Sequence, residues 1–381
     1  MIPYGKHSVD EADIQAVVDV LQNQFLTQGQ QVPAFEQRLC DYTGAKAAVA
    51  CNSGTSGLHL ACLAAGVTAG DLVWTVPNSF AASANAARYC GADVDFVDID
   101  PQTRNLCVAA LEEKLQQAQR RGRLPKALVV VHFAGSSCDM KAIAQLTAPY
   151  HILLIEDAAH ALGGKDSEGN RVGACRYSAM TVTSFHPVKS ITTAEGGVVL
   201  TNNPIYETSL RLHASHGITK DPAKLPTGHA NEPWFYAQQT LGFNYRLSDL
   251  HAALGLAQIK RIDTFIAKRL DKAKRYDEAL SALPLKRPLL DENSAWHLYM
   301  IEVAPQQRTH IFNTLRAKGI GVNVHYIPIH LHPYYRELGF APGDFPHSEQ
   351  YYKGAITLPL YPDLSVENQE QVIATIREVV G

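Results

Sequence analysis

The stretch Ile152-Leu153-Leu154-Ile155-Glu156-Asp157 decides the fold, because a short apolar run ends directly on a carboxylate. Upstream, Ala127-Leu128-Val129-Val130-Val131 reads as a buried strand. Working outward, strands are expected near 46–51 and 72–76 and at Val94-Asp95-Phe96-Val97, with helices near 33–43, 79–90 and 108–120. Two further short strands are expected around 179–184 and 197–201. Alternation of this kind argues for an α/β protein whose mostly parallel sheet carries helices on both faces. Its ligand site should then lie beyond the carboxyl ends of the strands. Ser8 with Glu11 reads as a capping box for an opening helix. The apolar face of that helix, Ile14, Val17, Val18, Leu21 and Phe25, is expected to pack on the main domain. A long amphipathic helix is expected from Ser248 to about Leu283, ended by Pro284, leading into a smaller C-terminal α/β domain. The expected division is 1–250 and 251–381.

With 381 residues, 46% of them apolar, the chain is long enough for a sizeable core. A net charge of -3 gives no field for a nucleic acid backbone, and Arg120-Arg121-Gly122-Arg123 reads as a solvated helix end. The seven cysteines include no Cys-x-x-Cys pair and are odd in number, which fits a reduced compartment. No run approaches about 18 apolar residues and the start lacks a signal-peptide core, so a soluble, cytoplasmic protein with no membrane partner is expected. His325, His330 and His332 raise the question of zinc. Their spacing matches no standard ligand pattern, and Pro328 and Pro333 prevent a regular helix from aligning the rings. A polar pocket wall or packed loop is expected there, and no metal. Residues 216–242, with Trp234, Phe235 and Tyr236, are too aromatic for a plain linker and read as a functional loop.

About thirty residues beyond Asp157 stands Lys189, in Ser184-Phe185-His186-Pro187-Val188-Lys189. An amine that forms a Schiff base and a carboxylate that protonates a pyridine are the minimum pair for pyridoxal phosphate chemistry. Each residue alone has a simpler reading, the lysine as solvated surface and the carboxylate as a turn residue. A third element joins them: Asn52-Ser53-Gly54-Thr55-Ser56-Gly57 follows a strand and opens a helix, where backbone N–H groups and hydroxyls make an anion site. The same residues also make an ordinary turn, and they are not a Walker loop. Gly196-Gly197 fits a close backbone approach or a bulge.

Ser53-Gly54-Thr55-Ser56, Glu156-Asp157-Ala158-Ala159-His160, the Lys189 stretch and Gly242-Phe243-Asn244-Tyr245-Arg246-Leu247-Ser248-Asp249 together resemble the DegT/DnrJ/EryC1/StrS sugar aminotransferases, in order and over essentially the whole chain. The resemblance implies the aminotransferase class (type I PLP) fold, pyridoxal 5'-phosphate as cofactor, and a homodimer with composite active sites. On it, Lys189 is the Schiff-base lysine and Asp157 the partner of the pyridine nitrogen. Gly54, Thr55, Ser56 and Ser184 bind the phosphate, with Asn244 reaching across from the second subunit. Phe80 stacks on the ring, Ala159 lies on its other face, and His160 completes the cofactor set. For a nucleotide sugar the resemblance points to Tyr4, Gln24, Phe25, Leu26, Thr27, Asn244, Val324, His325 and Tyr326. Ordinary capping stays open for the hydroxyls, and a core role for Phe80.

Gln24-Phe25-Leu26-Thr27-Gln28-Gly29, Ile191-Thr192-Thr193-Ala194-Glu195-Gly196-Gly197 and Val324-His325-Tyr326 look most like the branch of the family that serves pseudaminic acid biosynthesis. That implies a UDP-linked 4-keto-6-deoxy sugar as acceptor and L-glutamate as donor. An aminotransferase for a UDP-4-ketopentose or a dTDP-sugar, and a catalytically silent cofactor-binding sensor, stay open. The related dehydratases carry histidine where Lys189 stands. Many relatives have Gln at the position of His160 and Ala at that of Gly57; the glycine is expected to loosen a helix start by up to roughly 1 kcal/mol.

Overall fold

The computed structural model describes residues 1–229 and 232–380, so Ala230 and Asn231 of the 216–242 loop, and Gly381, lie outside the described residues. A seven-stranded sheet is built from β1 (Ala47–Cys51), β2 (Leu72–Thr75), β3 (Asp93–Phe96), β4 (Ala127–Val131), β5 (Leu153–Asp157), β6 (Met180–Ser184) and β7 (Gly197–Thr201), in the order β1-β7-β6-β5-β4-β2-β3. Strands β3, β2, β4, β5 and β6 are mutually parallel, while β7 runs antiparallel between β6 and β1. The expected alternation of strand and helix is therefore the observed one. Within β4, Ala127 and Val129 join the core under the helices Gly54–Ala64 and Ala82–Tyr89, whereas Leu128 and Val130 join the core on the opposite face. Burial on both faces is why this strand reads as an unbroken apolar run.

A separate core surrounds β10 (Tyr299–Glu302) and β11 (Ala355–Leu358), which pair antiparallel and are covered by the helices Pro305–Ala317 and Val366–Val380. Between β7 and β10 in sequence, β8 (Ile218–Thr219) and β9 (Ala237–Gln238) pair antiparallel in the 216–242 segment. The first residues of the chain cross to the C-terminal core: Ile2 N–H donates to Gly319 O at 2.7 Å, and the Ile2 side chain packs in that core.

Three local expectations are corrected. The capping box is made by Asp10 and Asp13, each carboxylate accepting the other's N–H, and not by Ser8 and Glu11. The reason is tertiary: buried Asp13 also accepts from Gln258 Nε2 at 2.6 Å and pairs with Arg261, which fixes the helix start at Glu11. The long helix after Ser248 is two helices, Asp249–Gln258 and Ile262–Ala279, separated by a 3-10 turn, Ile259–Arg261. Arg261 reaches Asp10 at 2.7 Å as well as Asp13, and this anchor holds it out of helical geometry at φ -111° and ψ 3°. Apolar periodicity reports the two amphipathic faces and is blind to that anchor. Finally, the opening helix buries Asp13 and Val20, and it leaves Ile14, Leu21 and Phe25 exposed. The helix does pack on the main body, against the helix Asp249–Gln258, with Val17 and Val18 half-buried; Ile14 and Leu21 of the expected stripe, and Phe25 beyond the helix end, face outward.

Candidate active site

Strand β5 delivers two carboxylates to opposite faces, since successive side chains in a strand alternate. Glu156 points to one side and is absorbed by structure, held by His132 Nε2 at 2.7 Å and Thr181 Oγ1 at 3.0 Å. Asp157 points to the other. Its Oδ2 accepts from Ser83 Oγ at 2.6 Å and its Oδ1 from the Ala159 N–H at 3.2 Å, and Ser79 Oγ lies 2.7 Å from Ser83 Oγ. These bonds fix a buried carboxylate at the edge of a cavity of about 610 Å³.

The cavity's second wall is the start of the helix Gly54–Ala64, capped by Ser53, whose Oγ accepts the Ser56 N–H at 3.0 Å. The first amides of a helix have no intrahelical partner, so those of Gly54 and Thr55 are free for an anion. Glycines allow this close assembly. A Cβ on Gly197 would lie 2.4 Å from Ser53 O, and one on Gly54 2.9 Å from Ser184 Cβ. A Cβ on Gly57 would meet Val182 Cγ1 at 2.8 Å, so this glycine lets the helix lie against β6. The propensity cost expected from the sequence is thus offset by packing.

Lys189 lies on the short connection from β6 to β7. Phe185 anchors that connection: its N–H donates to Gly196 O at 2.9 Å, and its ring packs edge-on against Phe35 at 5.1 Å. Burial pulls the Lys189 ammonium down to about 8, against the opposing pull of the Asp157 carboxylate. A neutral amine is therefore accessible near physiological pH. Above it sits a group of neutral rings. Burial, with the charge of Lys189, holds His325 at about 3; Asn323 Nδ2 donates to its Nε2 at 3.4 Å, so its Nδ1 donates to Thr357 Oγ1 at 2.8 Å. His160 and His297, 4.3 Å apart, are likewise held well below the usual range, first by burial.

Of the residues singled out in the sequence, Tyr4, Gly54, Thr55, Phe80, Asp157, Ala159, His160, Ser184, Lys189, Val324, His325 and Tyr326 line this one cavity. Ser56 is buried just behind it, its Oγ donating to Asn52 Oδ1 at 2.6 Å. Gln24, Phe25, Leu26, Thr27 and Asn244 do not line it and are exposed. Segment 24–29 is nonetheless fixed, because Asp249 accepts from Gly29 N–H at 2.8 Å and donates its own N–H to Leu26 O at 3.0 Å. Sequence reasoning missed Ser79, Ser83, His297 and Asn323; Ser83 lies on the helix Ala82–Tyr89, whose pattern reports only packing, and His297 lies in the irregular segment just before β10. The three histidines of residues 325–332 do not converge: His330 pairs with Glu349 at 3.0 Å, His325 bonds Thr357, and His332 borders the cavity. Among the described residues no cluster of histidine, cysteine or carboxylate groups is placed to hold a metal, and no helix is long and apolar enough to cross a membrane.

This architecture is that of the aminotransferases. Within them the chain belongs to the DegT/DnrJ/EryC1/StrS aminotransferase family, whose pattern matches residues 7–377. It is 36% identical to the UDP-4-amino-4,6-dideoxy-N-acetyl-beta-L-altrosamine transaminase of Campylobacter jejuni serotype O:2, covering 100% of this chain and 98% of that one. It is 35% identical to the spore coat polysaccharide biosynthesis protein SpsC of Bacillus subtilis, over 100% and 97% of the two chains. Among solved structures, Helicobacter pylori PseC, an aminotransferase of pseudaminic acid biosynthesis, superposes with a TM-score of 0.89 at 30% identity over 100% and 99% of the chains. The putative sugar aminotransferase Spr1654 of Streptococcus pneumoniae, in its PMP form, gives 0.90 at 30% identity over the same shares.

The residues fit pyridoxal phosphate. An aldehyde needs a lysine of lowered pKa, a pyridinium needs a fixed carboxylate, and a phosphate needs free amides and hydroxyls within a glycine-lined cradle. Lys189, Asp157 and residues 53–56 with Ser184 supply these on one cavity.

Proposed function

We propose that this chain is a pyridoxal phosphate aminotransferase that transfers the amino group of L-glutamate to C4 of UDP-2-acetamido-2,6-dideoxy-beta-L-arabino-hex-4-ulose. The product is UDP-4-amino-4,6-dideoxy-N-acetyl-beta-L-altrosamine, a step of pseudaminic acid biosynthesis. The convergence of Lys189, Asp157 and the capped helix start at residues 53–56 on one cavity carries the aminotransferase reading. The 36% identity to the Campylobacter jejuni enzyme over the whole chain supports the sugar.

When bound, the cofactor supplies an electron sink for the carbon that gains or loses the amine. The chain does the rest. Asp157, held by Ser83 and the Ala159 amide, would keep a proton on the ring nitrogen. Lys189 would hold the cofactor through its aldehyde, and its amine would carry a proton at the reacting carbon. The Gly54 and Thr55 amides with Ser184 would hold the phosphate, and Phe80 and Ala159, which also line the cavity, would flank the ring.

The charge of the cavity argues for a second subunit. Among the described residues Lys189 is the one lysine or arginine lining the cavity, which Asp157 and Glu195 also line. A UDP diphosphate requires cations or donors that one chain does not provide there. The exposed apolar stripe Ile14, Leu21, Phe25 and Leu26, together with exposed Asn244, supports a homodimer in which residues 24–27 and Asn244 complete the partner's site. A second acceptor, another nucleotide-linked keto sugar, is the alternative, since the chain is also 35% identical to a protein of spore coat polysaccharide biosynthesis. Turnover with glutamate against UDP- and dTDP-linked 4-keto sugars tests the choice. The UDP-linked L-sugar should be aminated at C4 in preference to its C5 epimer. Equal or faster amination of the D-configured epimer, or nitrogen placed at C3, would refute the pathway reading while leaving the aminotransferase reading intact.

A further inference from the structure

The Ala134 N–H donates to His160 Nδ1 at 3.3 Å. That nitrogen therefore carries no proton. Burial, aided by the charge of Lys189, keeps the imidazole neutral, so the single ring proton resides on Nε2. Nε2 lies 3.1 Å from Tyr326 Oη. The imidazole must donate this bond, and the tyrosine oxygen must accept it. The phenol stays protonated, since burial pushes its pKa up. Its own proton has to point elsewhere, and Tyr326 lines the cavity beside Phe80, their ring centroids 6.3 Å apart.

We propose that Tyr326 is a specificity-determining donor to an oxygen of the keto sugar, and that His160 is the positioning residue that directs the tyrosine proton into the cavity. The inference rests on the sugar aminotransferase reading. A carbonyl, hydroxyl or ether oxygen satisfies such a donor. A substrate presenting an N–H or an apolar carbon there leaves it unpaired, and one unpaired donor is the source of the discrimination. The ordering is enforced from a distance: Ala134 sits in left-handed geometry at φ 59°, and its oxygen accepts the His297 N–H at 2.8 Å, so the amide that sets the tautomer is itself held. A glutamine at 160 preserves the logic, with an acceptor oxygen for Ala134 and a donor nitrogen for Tyr326. A leucine does not.

The test uses cofactor-loaded protein and measures the glutamate and keto-sugar half-reactions separately, with Tyr326→Phe, His160→Gln, His160→Leu and the Leu/Phe double variant. Loss of one neutral hydrogen bond predicts that Tyr326→Phe lowers kcat/KM for the keto sugar by about 3- to 10-fold, and by less for glutamate. His160→Leu should show the same bias toward the sugar, the double variant should add little to it, and His160→Gln should restore it. Effects that multiply in the double variant, a glutamine no better than leucine, or equal losses in both half-reactions would overturn the assignment. Wild-type protein that takes the amino group from glutamate but passes it to no keto sugar would overturn the functional reading, and this inference with it.

Discussion

The lowered pKa of Lys189 makes a quantitative prediction about how the protein without cofactor captures it. Only the neutral amine attacks an aldehyde. At about 8, against an ordinary 10.5, roughly 10% of the amine is neutral at pH 7 and roughly 90% at pH 9, whereas an unperturbed lysine would be about 0.03% neutral at pH 7. Pyridoxal phosphate added to the apo chain and trapped with borohydride should label Lys189 at a rate that falls tenfold per pH unit below about 8 and levels above it, read by peptide mass spectrometry. The Asp157 carboxylate opposes the shift, so Asp157→Asn should move the midpoint to lower pH. The same shift enters stability. The folded chain binds fewer protons than the unfolded one between about 8 and 10.5, so Lys189 adds a stability that rises with pH across that window and a penalty that is full below it. Lys189→Met should therefore stabilise the apo chain at pH 7, by on the order of 2 kcal/mol once water in the cavity is allowed for. A labelling midpoint near 10.5, or one that stays in place in Asp157→Asn, would refute the claim that burial tunes this amine.

Lys189→Ala should abolish transamination with the fold intact, since loss of general acid–base work alone costs about 10²–10⁴ in rate; far-ultraviolet circular dichroism and turnover check the two halves. Gly197→Ala should weaken cofactor binding and destabilise the chain by about 1–3 kcal/mol, because the new methyl meets the Ser53 backbone and must displace the anion cradle; thermal melts and a cofactor titration measure it. A mixed dimer of Lys189→Ala and Asn244→Ala chains should hold one site with both lesions and one with neither. Retained turnover at the intact site supports the shared-site proposal, whereas two equally impaired sites would reject it.

The identity and order of the sheet elements were legible because strands buried on both faces, such as Ala127–Val131, leave an uninterrupted apolar signature, and because capping serines and glycines mark helix starts locally. Lys189, Asp157 and the 53–56 turn were legible for a chemical reason: an amine, a carboxylate and an anion cradle are the groups that this chemistry demands. What the tertiary structure alone decided involves bonds between distant segments. Ser83 reaches Asp157 across 74 positions, and Arg261 breaks a helix by pairing with Asp13. The tautomer of His160 depends on an amide 26 residues away. Apolar periodicity carries no trace of such partners, since a serine or histidine on a packed helix or strand looks the same whether or not a carboxylate or ring waits opposite. That Ile14 and Leu21 of the helix Glu11–Asn23 stay exposed while Val17 and Val18 are half-buried was illegible for the same cause: spacing shows that a side is apolar, and only the packed chain shows how much of it is covered.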